Sequence, residues 1–180
     1  FRRVLFRSGA NVGQWASEIR NAGFTGRIIS FEPLPAAHLE LQRRARKDAF
    51  WTVAPRMALG ERNGETSIHI AGNSQSSSLV EMLPMHRNAA PQSAYTGLAP
   101  TSLRTLDSLL GEVIPADSKR IFCKLDVQGY EARVLEGAKD LLNRVVGFQM
   151  EMSFVPLYAG QPLLEESLAM MAKLGFDVFG

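Results

Sequence analysis

Short apolar runs alternate with segments of helical periodicity along most of the chain. The run Val4–Phe6 precedes a pattern over 12–22 in which apolar residues recur every three or four positions. The run Arg27–Phe31 likewise precedes a helical pattern over 36–47. This alternation predicts a parallel sheet covered by helices, because parallel strands need a long crossover connection.

The middle of the chain predicts less regular structure. Residues 50–59 indicate a third strand interrupted by Pro55, and residues 66–70 indicate a fourth that forms a hairpin with it. Residues 71–101 show no period and are rich in Gly, Ser, Asn and Pro, so we interpret them as a lid over a binding site. A short helix is expected over 103–110.

The second half returns to the alternation of strands and helices. The expected elements are a strand over 121–125, a helix over 130–142, a strand over 145–152, a helix over 163–174 and the start of a strand at 176–179. We therefore expect one α/β domain over residues 1–180, with an open, doubly wound, mostly parallel sheet that is truncated before its last strand.

Composition changes this picture little. The apolar share of 46% and the formal charge of +2 are ordinary and favour neither a nucleic-acid nor a membrane partner, and no apolar run is long enough to span a membrane. We therefore expect no nucleic-acid partner. The first residues contain arginines and no long hydrophobic stretch, which is unlike a signal peptide. The single cysteine, Cys123, lies in an apolar run and predicts a protein of the reducing cytoplasm.

The candidate cofactor site begins with the turn Gly9-Ala10-Asn11-Val12-Gly13, which opens the first helix. Small residues there allow a close approach of the backbone to a ligand, and the helix N-terminus favours polar or negative groups. Glu32 ends the second strand about twenty residues later, where a carboxylate typically binds the hydroxyls of an adenosine ribose. The alternative interpretation is a tight turn followed by an acid that caps a helix.

The choice of cofactor depends on departures from the dinucleotide motif. Asn11 and Gln14 replace the middle and last glycines of G-x-G-x-x-G, and no Tyr-x-x-x-Lys pair is present. These features favour S-adenosylmethionine over NAD. An NAD-dependent oxidoreductase and a cofactor-binding domain without catalysis remain the alternatives.

Two strand ends carry candidate catalytic side chains. Strand alternation places Lys124 and Asp126 on one side of the first strand end, where Lys124 would keep Asp126 ionised. The same alternation places Gln149, Glu151 and Ser153 on one side of the second strand end. If these strands are neighbours, Asp126 and Glu151 face one crevice. They would then act on a substrate, hold a divalent cation, or form only a structural ion pair with the lysine.

Other polar residues carry weaker signals. Glu131 lies in the first turn of a helix, where an acid is favoured by the helix dipole alone. His38, His69 and His86 are far apart and lack the spacing of metal ligands. Only His86, in the expected lid, is retained as worth testing.

The motifs also occur in the order of a known family. They are G-A-N-V-G, I-S-F-E-P, A-L-G, S-S-S-L, L-R-T-L-D-S-L, K-L-D-V-Q-G-Y-E-A-R-V-L-E-G-A, Q-M-E-M-S and L-G-F. The chain thereby resembles the FkbM-type S-adenosylmethionine-dependent methyltransferases over nearly its whole length. The block K-x-D-x-x-G-x-E followed by L-x-G-A is the most specific of these motifs.

The resemblance implies a class I methyltransferase fold with S-adenosylmethionine as cofactor, and O-methylation of a sugar, glycan or natural product. By position it implies that Gly9, Asn11 and Gly13 line the methionine part of the cofactor, Glu32 its ribose, Ser78 the closing loop, and Asp126 with Lys124 the reacting methyl. We add Glu151 as a second acceptor-binding carboxylate. Gln128 stands where the family often has an acid, so no metal ligand set is assigned.

One departure from the family lies just before the glycine turn. Arg7 and Ser8 stand where an aspartate and an aliphatic residue are usual, and an arginine beside a sulfonium is expected to weaken binding. The segment RVLFRS is also one reading frame of the common sequencing-adapter string CGTGTGCTCTTCCGATCT. This predicts that residues 1–8 are not native and that the genuine sequence begins near Gly9.

Overall fold

The computed structural model describes residues 3–179, which form two sheets and the helices around them. In chain order the elements are β1 (Arg3–Ser8), α1 (Gln14–Asn21), β2 (Arg27–Phe31), α2 (Pro35–Ala45), β3 (Trp51–Val53), β4 (Met57–Leu59), β5 (Gly64–Ala71), α3 (Pro84–Ala89), β6 (Tyr95–Arg104), β7 (Arg120–Leu125), α4 (Glu131–Glu136), α5 (Lys139–Leu142), β8 (Val145–Met150) and α6 (Leu164–Lys173).

The main sheet has five parallel strands in the order β3-β2-β1-β7-β8. On one side of β1 lie β2 and then β3, and on its other side lie β7 and then β8. The strand order therefore reverses beside β1, and a crevice opens there at the carboxyl ends of β1 and β7, where open parallel sheets bind ligands. This architecture confirms the expected Rossmann-like α/β fold.

The core of the domain lies on both faces of this sheet. Phe6 of β1, Ile29 of β2 and Ile121 of β7 are each 2% exposed or less. The alternate residue Ile28 packs on the opposite face, in a cluster with Leu41 of α2. Strands buried on both faces read as continuous apolar runs, which is why these strands were predictable from sequence.

The second sheet was not predicted. Its order is β4-β6-β5, with β5 antiparallel to β6 and β4 parallel to β6. The expected hairpin between the third and fourth strands is therefore wrong. Pro55 separates β3 from β4, which join different sheets, and the partner of β5 comes from the segment interpreted as a lid.

The remaining differences concern single elements. Residues 71–101 contain a loop, α3, a 3₁₀ turn at Pro91–Ser93 and the first part of β6, so only part of that segment is irregular. Residues 103–110 form the end of β6 and a 3₁₀ turn at Asp107–Leu109 rather than a helix. Residues 176–179 have no strand assignment.

The helix expected over 130–142 is divided into α4 and α5. The division falls at Gly137, where an added Cβ would collide with the Gly60 carbonyl, so the chain turns at a point of close backbone contact. Among the helices of residues 3–179, none has the length and apolar character required to cross a bilayer.

Candidate functional site

A cavity of about 610 Å³ opens at the carboxyl ends of β1, β2 and β7. Its volume falls within the usual range for sites that bind small molecules. Six of the eight residues expected at the site line it: Gly9, Asn11, Glu32, Ser78, Asp126 and Glu151. Gly13 and Lys124 do not line the cavity. Gly13 packs beneath the glycine turn, and Lys124 interacts with Asp126, which does line the cavity.

Gly9 brings the turn after β1 against the end of β7. Its φ is +70°, and an added Cβ would collide with the carbonyl oxygen of Asp126. The next residue, Ala10, donates its N–H to the carbonyl of Phe31 at 3.0 Å. The glycine is therefore required by contact between backbones, which keeps the turn close to both neighbouring strand ends.

Glu32, which follows β2, holds the glycine turn in place by hydrogen bonding. One carboxylate oxygen accepts the N–H of Asn11 at 2.6 Å and the other accepts the N–H of Leu34 at 2.8 Å. Burial raises the pKa of Glu32 to about 7, although both hydrogen bonds and the Arg7 charge act in the opposite direction. The carboxyl group nevertheless borders the cavity and retains acceptor capacity for a ligand hydroxyl.

Asn11 and Ser78 connect the turn and the strand ends to the loop that covers them. Asn11 has a φ of +48°, and its Nδ2 donates to Ser74 Oγ at 3.0 Å. Ser78 Oγ donates to the carbonyl of Gln128 at 2.7 Å and accepts the N–H of Val80 at 3.1 Å. Both residues therefore position the loop as well as bordering the cavity.

Gly13 has a packing role instead of a cavity-lining one. A Cβ at this position would lie 2.9 Å from Leu41 Cδ1 and from the Trp51 ring. The residue has a φ of +90° and directly precedes α1. Gly13 thus lets α1 pack closely on α2 and β3, which orients the glycine turn from behind.

Asp126 lies at the centre of a charged group at the end of β7. Its Oδ2 is 2.9 Å from Arg7 Nη2 and 3.5 Å from Lys124 Nζ, and its Oδ1 accepts Gln128 Nε2 at 2.8 Å. Burial by itself would raise the pKa of Asp126. The Arg7 charge, with hydrogen bonds from Arg7 and Gln128 and a smaller contribution from Lys124, holds it below its ordinary value.

Glu151 follows the neighbouring strand β8 and faces the same cavity as Asp126. Gln128 joins the two carboxylates, because its Nε2 also donates to Glu151 Oε2 at 3.0 Å. Partial burial and the Asp126 charge raise the pKa of Glu151. The two carboxylates therefore differ: Asp126 is held ionised, whereas Glu151 binds a proton more readily.

The interpretation of strands and motifs missed one residue at the site, Tyr158, and the contacts made by two others, Gln128 and Arg7. Tyr158 places its hydroxyl 2.7 Å from Gln128 Oε1, which orients the amide towards the carboxylates. Tyr158 lies in a segment without periodicity, so no sequence signal marked it. The Gln128 bridge depends on side-chain direction, which motifs do not reveal.

The third missed feature is the way Arg7 enters the site. Arg7 is 8% exposed, and its Nε and Nη1 atoms are buried and have no hydrogen-bond partner within residues 3–179. The sequence marked Arg7 as unusual, but its pairing with Asp126 follows only from the adjacency of β1 and β7. A buried guanidinium therefore forms part of the cavity wall.

Glu131 has a structural role. Its two carboxylate oxygens accept the N–H groups of Val127 and Gly129 at 2.9 and 3.1 Å, which fixes the turn between β7 and α4. Burial raises its pKa. Across residues 3–179, no group of three or more His, Cys, Asp or Glu side chains is arranged to hold a metal ion.

Comparison with known proteins identifies a family for this chain. The family model described as the methyltransferase FkbM domain matches residues 8–178. The matched range includes the glycine turn, both strand ends that carry carboxylates, and the covering loop. No curated protein and no solved structure gives a significant match.

Proposed function

The chain belongs to the FkbM methyltransferase domain family, and from this premise we propose that it transfers a methyl group from S-adenosylmethionine to a hydroxyl of a sugar, glycan or natural product. The observation that carries the proposal is the single cavity faced by Glu32 on one side and by Asp126 and Glu151 on the other. One wall suits a nucleoside and the other suits a polar acceptor.

The residues around Glu32 fit the adenosine part of this cofactor. Glu32 presents a buried carboxyl group at the end of β2, where ribose hydroxyls are commonly bound. Asn11 and the backbone of the glycine turn border the same part of the cavity. Bound here, the cofactor supplies a methyl group on a positively charged sulfur.

The residues around Arg7 fit the cofactor only in part. The guanidinium of Arg7 borders the cavity, and its positive charge suits a carboxylate such as that of the methionine moiety. The same positive charge opposes a sulfonium. For the sequence as given, with Arg7 in the segment that we expect not to be native, Arg7 is the observation that favours our second candidate, a domain that binds an adenosyl ligand without catalysing transfer.

Asp126, Lys124 and Glu151 would orient the acceptor. Asp126 is ionised and accepts a hydrogen bond from the acceptor hydroxyl, while Lys124, 3.5 Å from its Oδ2, helps to keep it charged. Glu151 binds a second hydroxyl of the acceptor. Such positioning contributes up to about 7–11 kcal/mol to lowering the barrier in favourable cases.

Calorimetry and a transfer assay test the proposal in sequence. Binding of S-adenosylmethionine or S-adenosylhomocysteine, without binding of NADH, is the expected result. Transfer of a labelled methyl group to members of a library of sugars, glycans and hydroxylated natural products is expected next. Binding without transfer to any acceptor would favour the second candidate, and binding of NADH alone would refute both.

A further inference from the structure

His86 borders the cavity but is not used by the roles assigned above. It lies in α3, which follows the loop that covers the strand ends. Within residues 3–179 its Nδ1 is buried and has no hydrogen-bond partner. The His86 side chain borders the cavity, and a ligand hydroxyl that reaches the imidazole gains a hydrogen bond that the protein does not supply.

The position of His86 is fixed by the structure around it. Leu83, just before α3, donates its N–H to the carbonyl of Leu157 at 2.9 Å, and Ala159 donates to the carbonyl of Glu81 at 2.8 Å. The His86 ring packs edge-on against Tyr158, with centroids 5.1 Å apart and an interplanar angle of 86°. The imidazole is therefore held against the residue that orients Gln128.

Asp126 is less suited than His86 to remove a proton. Asp126 already interacts with Arg7, Lys124 and Gln128, and its pKa lies below its ordinary value. Partial burial lowers the pKa of His86 from its ordinary value, so its ring is neutral at pH 7 and can accept a proton. Within the described part of the chain, no protein group forms a hydrogen bond with the Nδ1 of this neutral imidazole.

We propose that His86 is a catalytic residue that accepts the proton of the acceptor hydroxyl, an inference that rests on the proposed methyl transfer. The acceptor oxygen forms the new O–CH₃ bond as the S–CH₃ bond of the sulfonium breaks, and the electron pair of that bond stays on sulfur. The hydroxyl proton moves to an imidazole nitrogen, and the resulting imidazolium releases it to water.

The test compares His86→Ala with wild type and with the control variant His69→Ala. His69 stacks on Tyr95 in the second sheet and is not among the residues lining the cavity. For an acceptor identified with the wild type, we expect kcat of H86A to fall about 100-fold or more, as for loss of a general base. Affinity for S-adenosylmethionine should stay within about twofold of wild type, as expected for a residue that contacts only the acceptor. Added imidazole should restore activity to H86A, and H69A should remain active.

A second measurement does not depend on turnover. The protein contains three histidines, so the imidazole ¹⁵N signals of His86 can be identified by their loss in H86A. Addition of the acceptor together with S-adenosylhomocysteine should shift the His86 signals in the wild type and leave those of His38 unchanged.

The outcomes separate the two proposals. If the wild type transfers methyl groups to no acceptor, the proposed function fails and the role of His86 fails with it. If the wild type is active but H86A retains its kcat, or loses it without rescue by imidazole, only the role of His86 is overturned. Unchanged ¹⁵N signals of His86 would overturn its contact with the acceptor.

Discussion

Replacing Arg7 with methionine should shift the preference of the cavity from S-adenosylhomocysteine towards S-adenosylmethionine. S-adenosylmethionine carries a positive charge on sulfur, whereas S-adenosylhomocysteine has a neutral sulfur and is otherwise almost the same molecule. Arg7 is buried in the cavity wall, so its charge is little screened by water. Methionine keeps much of the side-chain volume and removes the charge.

The magnitude follows from the electrostatics of the site. Two positive charges about 6–8 Å apart repel by about 2–3 kcal/mol at an effective dielectric constant of about 20. Loss of Arg7 also leaves the Asp126 charge available to attract the sulfonium, with Lys124 still 3.5 Å away to offset part of it. We expect R7M to gain about 10- to 100-fold in affinity for S-adenosylmethionine relative to S-adenosylhomocysteine.

Titration calorimetry of both ligands against wild type, R7M and Arg3→Met provides the assay. Arg3 lies on the same strand but is exposed, so R3M removes the same charge outside the cavity. R7M leaves Asp126 with Gln128 at 2.8 Å and Lys124 at 3.5 Å, so the free energy of unfolding should fall by at most about 3–5 kcal/mol, the cost of removing one partner of a buried pair. An affinity ratio that is equal in R7M and wild type would refute the reasoning.

Three further changes test other parts of the site. Asp126→Asn should lower kcat by about 100-fold while cofactor affinity stays within a few-fold, as expected for loss of acceptor positioning; full turnover in this variant would exclude the proposed role of Asp126. Because burial raises the pKa of Glu32 from an ordinary 4.5 to about 7, the folded protein holds that proton more tightly than the unfolded chain. Its contribution to stability is therefore complete below about pH 4.5 and is lost as the pH rises through about 7, a change of about 3 kcal/mol. Urea unfolding at pH 5 and pH 8 should show this loss in wild type but not in Glu32→Gln, and equal pH dependence in both would contradict the assignment. Gly9→Ala should lower the free energy of unfolding by more than about 2 kcal/mol, since its Cβ meets the Asp126 carbonyl. The control Gly23→Ala, where φ is +90° but no atom lies within 4 Å, should cost about 1 kcal/mol, and equal losses would contradict the steric argument.

The elements predicted best are those whose pattern reflects burial on both faces. β2 has the expected bounds, Arg27–Phe31, and β7 extends the expected strand by one residue, to Arg120. The least successful region was 50–110, where β4, β5 and β6 form a sheet. Only Ala99, Thr101 and Leu103 show alternating burial in β6, so much of this strand has no periodic signal.

The candidate site was likewise predictable from the sequence only in part. Alternation along β7 and β8 was enough to bring Asp126 and Glu151 to one edge, because neighbouring parallel strands end at the same edge of a sheet. It could not show that Gln128 bridges them or that Tyr158 orients the bridge. Those contacts join segments whose spacing along the chain carries no information about side-chain direction.

Local sequence thus determined the α/β class, the glycine turn and the strand ends that carry acidic residues, because each depends on neighbours within a few positions. Tertiary structure alone decided which charges meet. Arg7 and Asp126 are 119 positions apart, yet the pairing of β1 with β7 brings them to 2.9 Å. Whether the cavity accepts a positively charged ligand depends on that contact, since the Coulomb energy is set by distance in space and by burial.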